Sequence, residues 1–151
     1  MSAVLDLLTA ELADRIDTDP TALDAARADK SGHAAAGPPI AIVHAASVAD
    51  VQATMRIASA TGTPVVIRGA GTGLAGGANA GAGEIVLSMR RMNRILEVRA
   101  DDLLAVVEPG ILNADLNDAL AAHGLWTTPR PSCCGPSAAR CIRPWRRWAR
   151  P

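Results

Sequence analysis

Apolar residues at the start of the chain recur at helical spacing. Leu5, Leu8, Leu12 and Ile16 fall on one face and Ser2 can cap them, which predicts a helix over 3–16. Asp19-Pro20, a cap followed by proline at the first helical position, starts a second short helix that ends near Lys30-Ser31-Gly32. His33 to Pro39 is a boundary, because Pro38-Pro39 favours extended backbone. Ile40–Val43 reads as a buried strand. Ser47 and Asp50 form a capping pattern for a helix whose inner face is expected to carry Val48, Val51, Met55 and Ala58 and whose natural end is Gly62. Pro64–Ile67 is the next strand, so strand, helix and strand make a βαβ unit with parallel strands. Further on, Glu84–Met89 reads as a strand, and Arg90, Arg91 and Arg94 surround a turn. Ile95–Val98 and Leu103–Val107 read as a hairpin joined through Asp101-Asp102. Pro109-Gly110 is a turn. Asn113 is expected to cap a helix with Leu116, Ala119 and Leu120 inside, ending at Gly124.

Between the second and third predicted strands the pattern breaks. Residues 64–83 read PVVIRGAGTGLAGGANAGAG, with glycine at 69, 71, 73, 76, 77, 81 and 83. Glycine accepts positive φ and puts no side chain between backbone and ligand, so such a run can turn its N–H groups into a concave anion nest. A flexible linker is the plain alternative, but linkers of that kind are usually Ser-rich and polar, and this run is apolar and flanked by strands. Gly71, Gly73 and Gly76 fit G-x-G-x-x-G, yet GANAGAG follows where the dinucleotide fingerprint needs a helix. The P-loop needs Lys and then Ser or Thr after its last glycine, and Gly76 is followed by Gly77-Ala78. What remains is a strand, a glycine loop and a strand, with backbone donors and no lysine. That suits the diphosphate of a dinucleotide better than a transferable phosphate. Arg68, just ahead of the loop, has two open readings: a structural cation, or a charge partner for the diphosphate.

PVVIRGAGTGLAGGANA resembles the diphosphate-binding loop of FAD-linked oxidases of the vanillyl-alcohol oxidase / p-cresol methylhydroxylase type, and within them the glycolate oxidase FAD subunit and D-lactate dehydrogenase group. The resemblance runs from about Ile40 to Ser132 and includes VVEPGILNADLNDALAAHGL. It implies an α+β FAD-binding domain of the p-cresol methylhydroxylase type: a βαβ subdomain, then the start of a second, partly antiparallel α+β subdomain. It implies FAD as cofactor, with contacts expected from Arg68, Gly69, Ala70, Gly71, Thr72, Gly73, Leu74, Gly76 and Gly77. Pro109-Gly110 would lie near the adenine end, and Ser132 closes the Pro-rich segment LWTTPRPS. Some relatives attach the flavin through a His or Cys in the loop. Residues 69–83 contain neither, so non-covalent binding is expected.

Composition changes this picture at the C-terminus. Residues 1–129 carry nine Lys and Arg against fifteen Asp and Glu, whereas residues 130–151 carry six Arg and no acid. Arg130 stands where the family has Asp, and the match is lost after Ser132. The tail CCGPSAARCIRPWRRWARP holds all three Cys and two of the three Trp and shows no helical or strand period. A frameshift in a GC-rich gene leaves such a change in mid-motif. A true basic tail that stacks on bases or lies at a membrane surface is the rival. The expected organisation is a helical leader and linker at 1–39, a partial FAD-binding domain at 40–132 and an atypical tail at 133–151.

The rest is bounded by what is missing. The chain has no Phe and no Tyr, so Ala, Val, Leu and Ile must fill the core. No apolar stretch reaches membrane length, acids at Asp6 and Glu11 argue against a secretory signal, and a cytoplasmic protein is the default. His33, His44 and His123 have no partners at metal-ligand spacing, and Asp101-Asp102 reads as a solvated turn. No catalytic residue is assigned. The resemblance implies the FAD-binding part of a flavin-dependent oxidoreductase for a small 2-hydroxy acid such as glycolate or D-lactate, inactive alone, with an electron acceptor as partner. The alternative is a non-catalytic binding module, or a subunit docking to a partner that carries the rest of the site.

Overall fold

The computed structural model describes residues 3–127 and the backbone of residues 139–144. The chain divides into two units, Met1–Arg91 and Met92–Pro151.

In the first unit, helix α1 spans Ala3–Leu12 and buries Val4, Leu8 and Leu12. It is shorter than the periodicity predicted. Ala13–Arg15 tighten into a 3-10 turn, and Ile16–Asp17 leave as strand β1. Ile16 is therefore not a helix-face residue. Its backbone pairs antiparallel with strand β2 (Ala41–His44), opposite Val43. A two-residue strand cannot be seen in an apolar period. The second helix, α2 (Pro20–Ala25), starts as expected, with the Asp19 carboxylate accepting the Ala22 N–H at 2.9 Å.

Helix α3 (Val48–Thr61) is set by its capping box. The Ser47 hydroxyl accepts the Asp50 N–H at 3.2 Å, and Asp50 accepts the N–H groups of Ala46 at 2.8 Å and Ser47 at 3.2 Å. Burial raises the pKa of this carboxyl, but those donors together with Arg15 outweigh it and hold the group below its ordinary value. Gly62 ends the helix in the left-handed conformation at φ +66°. The inner face differs from the expected one. Ala53, Thr54, Ile57 and Ala58 are buried, while Val48 and Met55 are exposed. Small residues permit close approach to the sheet, and the Thr54 hydroxyl donates to the Asp50 carbonyl at 2.8 Å, so it is buried without losing a hydrogen bond.

Strands β3 (Val65–Arg68) and β4 (Ile85–Ser88) complete a sheet of order β1-β2-β4-β3. Strands β2 and β3 are parallel, as the βαβ reading requires. They are not neighbours, because β4 lies between them and is parallel to both, with Val86 opposite Ile42 on one side and Val66 on the other. Every residue of β4 is buried. Ile42 and Val86 join Ala26 and Ala80 in a cluster with Ala22, Leu23 and Val66 packed against it. Val43, Ile85 and Leu87 alternate to the other face and are fully buried.

The second unit is antiparallel throughout its described strands. The hairpin β5 (Ile95–Arg99) and β6 (Leu104–Val107) forms as expected, with an irregularity at Leu96. Helix α4 spans Asn113–Ala121. Asn113 is its first helical residue rather than its cap. Leu112 occupies the cap position, with no side-chain cap bond. Leu116 and Leu120 are fully buried, whereas Ala119 is exposed. Strand β7 (Leu125–Thr127) is tied to α4 by Asn117, whose Oδ1 accepts both the N–H and the hydroxyl of Thr127 at 2.6 and 2.9 Å. Ala105, Val107, Ile111, Leu116, Leu120 and Leu125 form the core, with Ile95 and Val98 against it.

The tail departs from expectation. Ala139–Pro144 form strand β8, which pairs antiparallel with both β6 and β7 in the order β5-β6-β8-β7. Pairing, not side-chain period, defines this strand, and pairing is invisible in composition. Cys133, Cys134 and the Trp-Arg run after Pro144 lie outside the described residues. Among the described residues no helix is long and apolar enough to cross a membrane.

Two outcomes test this arrangement. Leu120→Ala should destabilise the second unit by about 2–5 kcal/mol in urea unfolding, the range for emptying a buried leucine site. A loss below about 1 kcal/mol would contradict its place in the core. Ending the chain at Ser132 removes β8, so amide exchange in Leu104–Val107 should accelerate. Unchanged exchange there would show that β8 contributes nothing to the sheet.

Candidate cofactor site

Strands β3 and β4 are parallel neighbours, so the chain leaving the carboxyl end of β3 must return along the sheet to the amino end of β4. Such crossovers take a dozen or more residues and are usually helices. Here residues 69–84 make the return as a glycine-rich loop. It starts at the strand edge where open α/β sheets bind ligands.

The loop is not free-standing. Its inner side is bound to the leader by backbone bonds: Lys30 N–H to the Gly73 carbonyl at 3.0 Å, Ala80 N–H to Ala26 at 3.1 Å and Ala82 N–H to Ala36 at 3.1 Å. Asn79 Nδ2 donates to the His33 carbonyl at 2.8 Å. Ala80 is fully buried, and a Cβ on Gly81 would come within 3.2 Å of the Ala36 carbonyl. The leader carried no motif, so sequence reading gave it no part in the site.

Arg68 ends β3, and its guanidinium turns back under the loop. Nη1 donates to the carbonyls of Ala78 at 2.6 Å and Ala26 at 3.2 Å, and Nη2 to those of Ala28 at 2.8 Å and Ala25 at 3.4 Å. Of the two readings left open, this geometry supports the structural cation. Gly71, at φ +69°, lies directly over it: a Cβ there would sit 2.6 Å from Nη2. Asp29 is beneath Gly73, where a Cβ would come within 3.2 Å of its Oδ2. Hydrogen bonds from the Ser31 hydroxyl and then the Ser31 N–H hold the Asp29 carboxyl below its ordinary value.

The outer side is different. Thr72, Gly73, Leu74 and Ala75 are exposed, and among the described residues no backbone hydrogen bond uses the N–H of any residue from Ala70 to Ala75. Gly69 and Gly77 have open space where a Cβ would stand. Leu74 is 80% exposed, an apolar side chain offered to solvent or ligand at the loop's tip. Unpaired donors on a loop held from behind form the nest an anion requires. Positive φ at Gly71 and Gly76 permits the turns that build it.

The remaining site residues fall elsewhere. Pro109 and Gly110 form the expected turn in the second unit, where Gly110 N–H donates to the Met92 carbonyl at 2.8 Å. The buried Glu108 beside them accepts the Arg94 N–H at 2.9 Å and its guanidinium at 2.7 and 3.1 Å. Those bonds to Arg94 keep the Glu108 carboxyl below its ordinary value. Sequence reading placed Arg94 in a turn and did not single out Glu108. An acid next to a Pro-Gly turn was the available signal. Ser132 lies outside the described residues. His44 is 3.3 Å from the Asp17 carboxylate across β1 and β2, so its partner is structural.

The glycine-rich loop thus leaves the carboxyl end of a parallel strand of the first unit, and an antiparallel α+β unit follows in the chain. Residues 39–139 match the family model described as FAD binding domain, and the chain belongs to that family, with FAD as its cofactor. It is similar to an FAD-linked oxidoreductase of Mycobacterium tuberculosis, 41% identical over 98 residues (63% of this chain, 21% of the relative). It is also similar to glycolate oxidase subunit GlcD of Bacillus subtilis, 35% identical over 94 residues (62% and 20%). To a probable mitochondrial D-lactate dehydrogenase of Danio rerio it is 35% identical over 105 residues (67% and 21%). Among solved structures, p-cresol methylhydroxylase shares the fold at TM-score 0.67 and 24% identity, over 79% of this chain and 24% of that one. The chain spans about a fifth of the length of these sequence relatives.

Two substitutions separate the inner and outer sides of the loop. Gly71→Val combines left-handed strain with the collision against Arg68, and should lower stability by about 1–3 kcal/mol in urea unfolding. Gly77→Ala meets nothing and should stay within about 0.5 kcal/mol of wild type. Equal effects would refute the two-sided loop.

Proposed function

We propose that this chain supplies the diphosphate-binding half of the FAD site in a flavin-dependent oxidoreductase acting on a 2-hydroxy acid of the glycolate or D-lactate type. The observation that carries the proposal is the row of N–H groups from Ala70 to Ala75 that no backbone hydrogen bond among the described residues uses, on a loop pinned from behind. In this reading the backbone of Gly69, Ala70, Gly71, Thr72, Gly73, Gly76 and Gly77 cradles the diphosphate. Leu74 covers part of the cofactor. Arg68 sets the loop's shape. Backbone donors in a fixed nest make charge-assisted bonds to phosphate oxygens without side-chain reordering. Residues 69–83 hold no His or Cys, so binding is non-covalent. FAD, when bound, supplies hydride acceptance from the substrate carbon and return of the electrons to an acceptor.

The same reading makes these 151 residues inactive alone. Much of a dinucleotide's affinity comes from burying its rings, and a base and a clamp for the substrate carboxylate are also required. In this reading those groups come from outside these 151 residues, and the protein is cytoplasmic. The chain by itself should bind FAD weakly in a flavin-fluorescence titration and should oxidise neither glycolate nor D-lactate. Completed with the remaining segments of a relative, it should retain FAD and reduce an acceptor dye with one of them. In that completed protein Gly77→Ala should weaken FAD about tenfold or more with its melting temperature unchanged, because the new methyl group stands between donors and phosphate. Unaltered FAD affinity would remove the loop from the site. D-lactate turnover by the 151-residue chain would overturn the reading that the rest of the site lies elsewhere.

A further inference from the structure

We infer that Arg68 is a positioning residue which locks the glycine loop to the N-terminal leader and does not itself pair with the bound anion. The inference rests on the anion-binding role proposed for the loop. Its observation is the set of four carbonyls, Ala25, Ala26, Ala28 and Ala78, that take the two terminal nitrogens of the guanidinium at 2.6 to 3.4 Å.

Three of those carbonyls lie at and just beyond the end of α2, where a helix leaves carbonyls without internal partners and an arginine can satisfy them. The fourth belongs to the far end of the glycine loop. One side chain therefore joins the end of β3, the end of α2 and the return of the loop. Planarity matters here, since a fork of fixed donors can serve several acceptors at once, whereas an ammonium is a point charge on a flexible stem. Glycine at 71 is required by this arrangement as well as by any ligand, because a Cβ would strike Nη2 at 2.6 Å. A guanidinium committed to carbonyls on the inner side has its charge beneath the nest and the four N–H donors of its terminal nitrogens already used. The leader, which lies ahead of the family match at residue 39, thus becomes part of the cofactor site.

The test begins with the ligand-free 151-residue chain. Amide exchange is followed at Lys30, Asn79 and Ala80, whose N–H groups donate to Gly73, Gly76 and Ala26. Arg68→Met should accelerate these about tenfold or more while Ile85–Ser88 change less than about twofold. Arg68→Lys should restore part of the protection. Gly71→Ala should reproduce the acceleration in the wild-type background and add less in Arg68→Met. Unchanged exchange in Arg68→Met, or equal acceleration in the loop and in β4, overturns the inference. A second arm titrates inorganic pyrophosphate against the Ala70–Ala75 amides at several salt concentrations. Arg68→Met should weaken binding and leave the salt dependence as in wild type. Loss of about one charge's worth of salt dependence would assign a direct ion pair and overturn the inference. Failure of the wild-type chain to respond to pyrophosphate would refute the anion-binding reading, while the exchange data still decide what Arg68 holds.

Discussion

Four backbone carbonyls converging on one guanidinium form the constraint on which the rest of the first unit's site depends. A glycine-rich segment has the largest conformational freedom to lose on ordering, about 1–2 kcal/mol per residue for the backbone alone. Something must offset that loss, and the loop's own side chains cannot, since most have no atom beyond Cβ. The offset comes from the leader. Backbone bonds from Lys30, Ala80 and Ala82, the buried methyl of Ala80 and the Arg68 fork together hold the inner side. The N–H groups of Ala70 to Ala75 are then left without a backbone partner among the described residues.

That division of labour explains why strand order matters. Because β4 enters between β2 and β3, the loop must travel back along the sheet. The path takes it past α2 and the leader, whose carbonyls accept hydrogen bonds from the loop and from Arg68. Had β3 been followed by an antiparallel neighbour, a two-residue turn would have sufficed and no nest would exist. The second unit follows a different logic. Its hairpin, α4 and β7 share a core of Leu, Ile and Val around Ala105, and the Glu108–Arg94 pair holds the chain ahead of the Pro109-Gly110 turn. The absence of Phe and Tyr is met in the first unit by buried alanines beside Leu, Ile and Val, and in the second unit mainly by leucine, isoleucine and valine.

Several features were legible from short-range chemistry alone: the Asp19 and Ser47 caps, the Gly62 terminus, the hairpin, the Pro-Gly turn and the loop's donors without a lysine. Each depends on residues close together in the chain. The misread features share the opposite property. Ile16 becomes a strand because β2 has an open edge. The buried face of α3 rotates away from Val48 and Met55 because Ala53 and Ala58 permit closer contact. Leu112, not Asn113, takes the cap position, and Ala139–Pro144 becomes a strand because β6 and β7 flank it.

By itself the sequence determined the kind of site: a glycine loop after a β-branched strand has only backbone donors to offer, and that chemistry is local. Tertiary structure alone decided which of those donors remain available and what holds them. The role of Arg68 turned on acceptors forty and more residues upstream, at Ala25, Ala26 and Ala28. A guanidinium can bind a phosphate or a set of carbonyls with nearly the same geometry, so its identity leaves both open. Only the folded path of the leader brings the carbonyls within reach, and with them in place the charge faces inward.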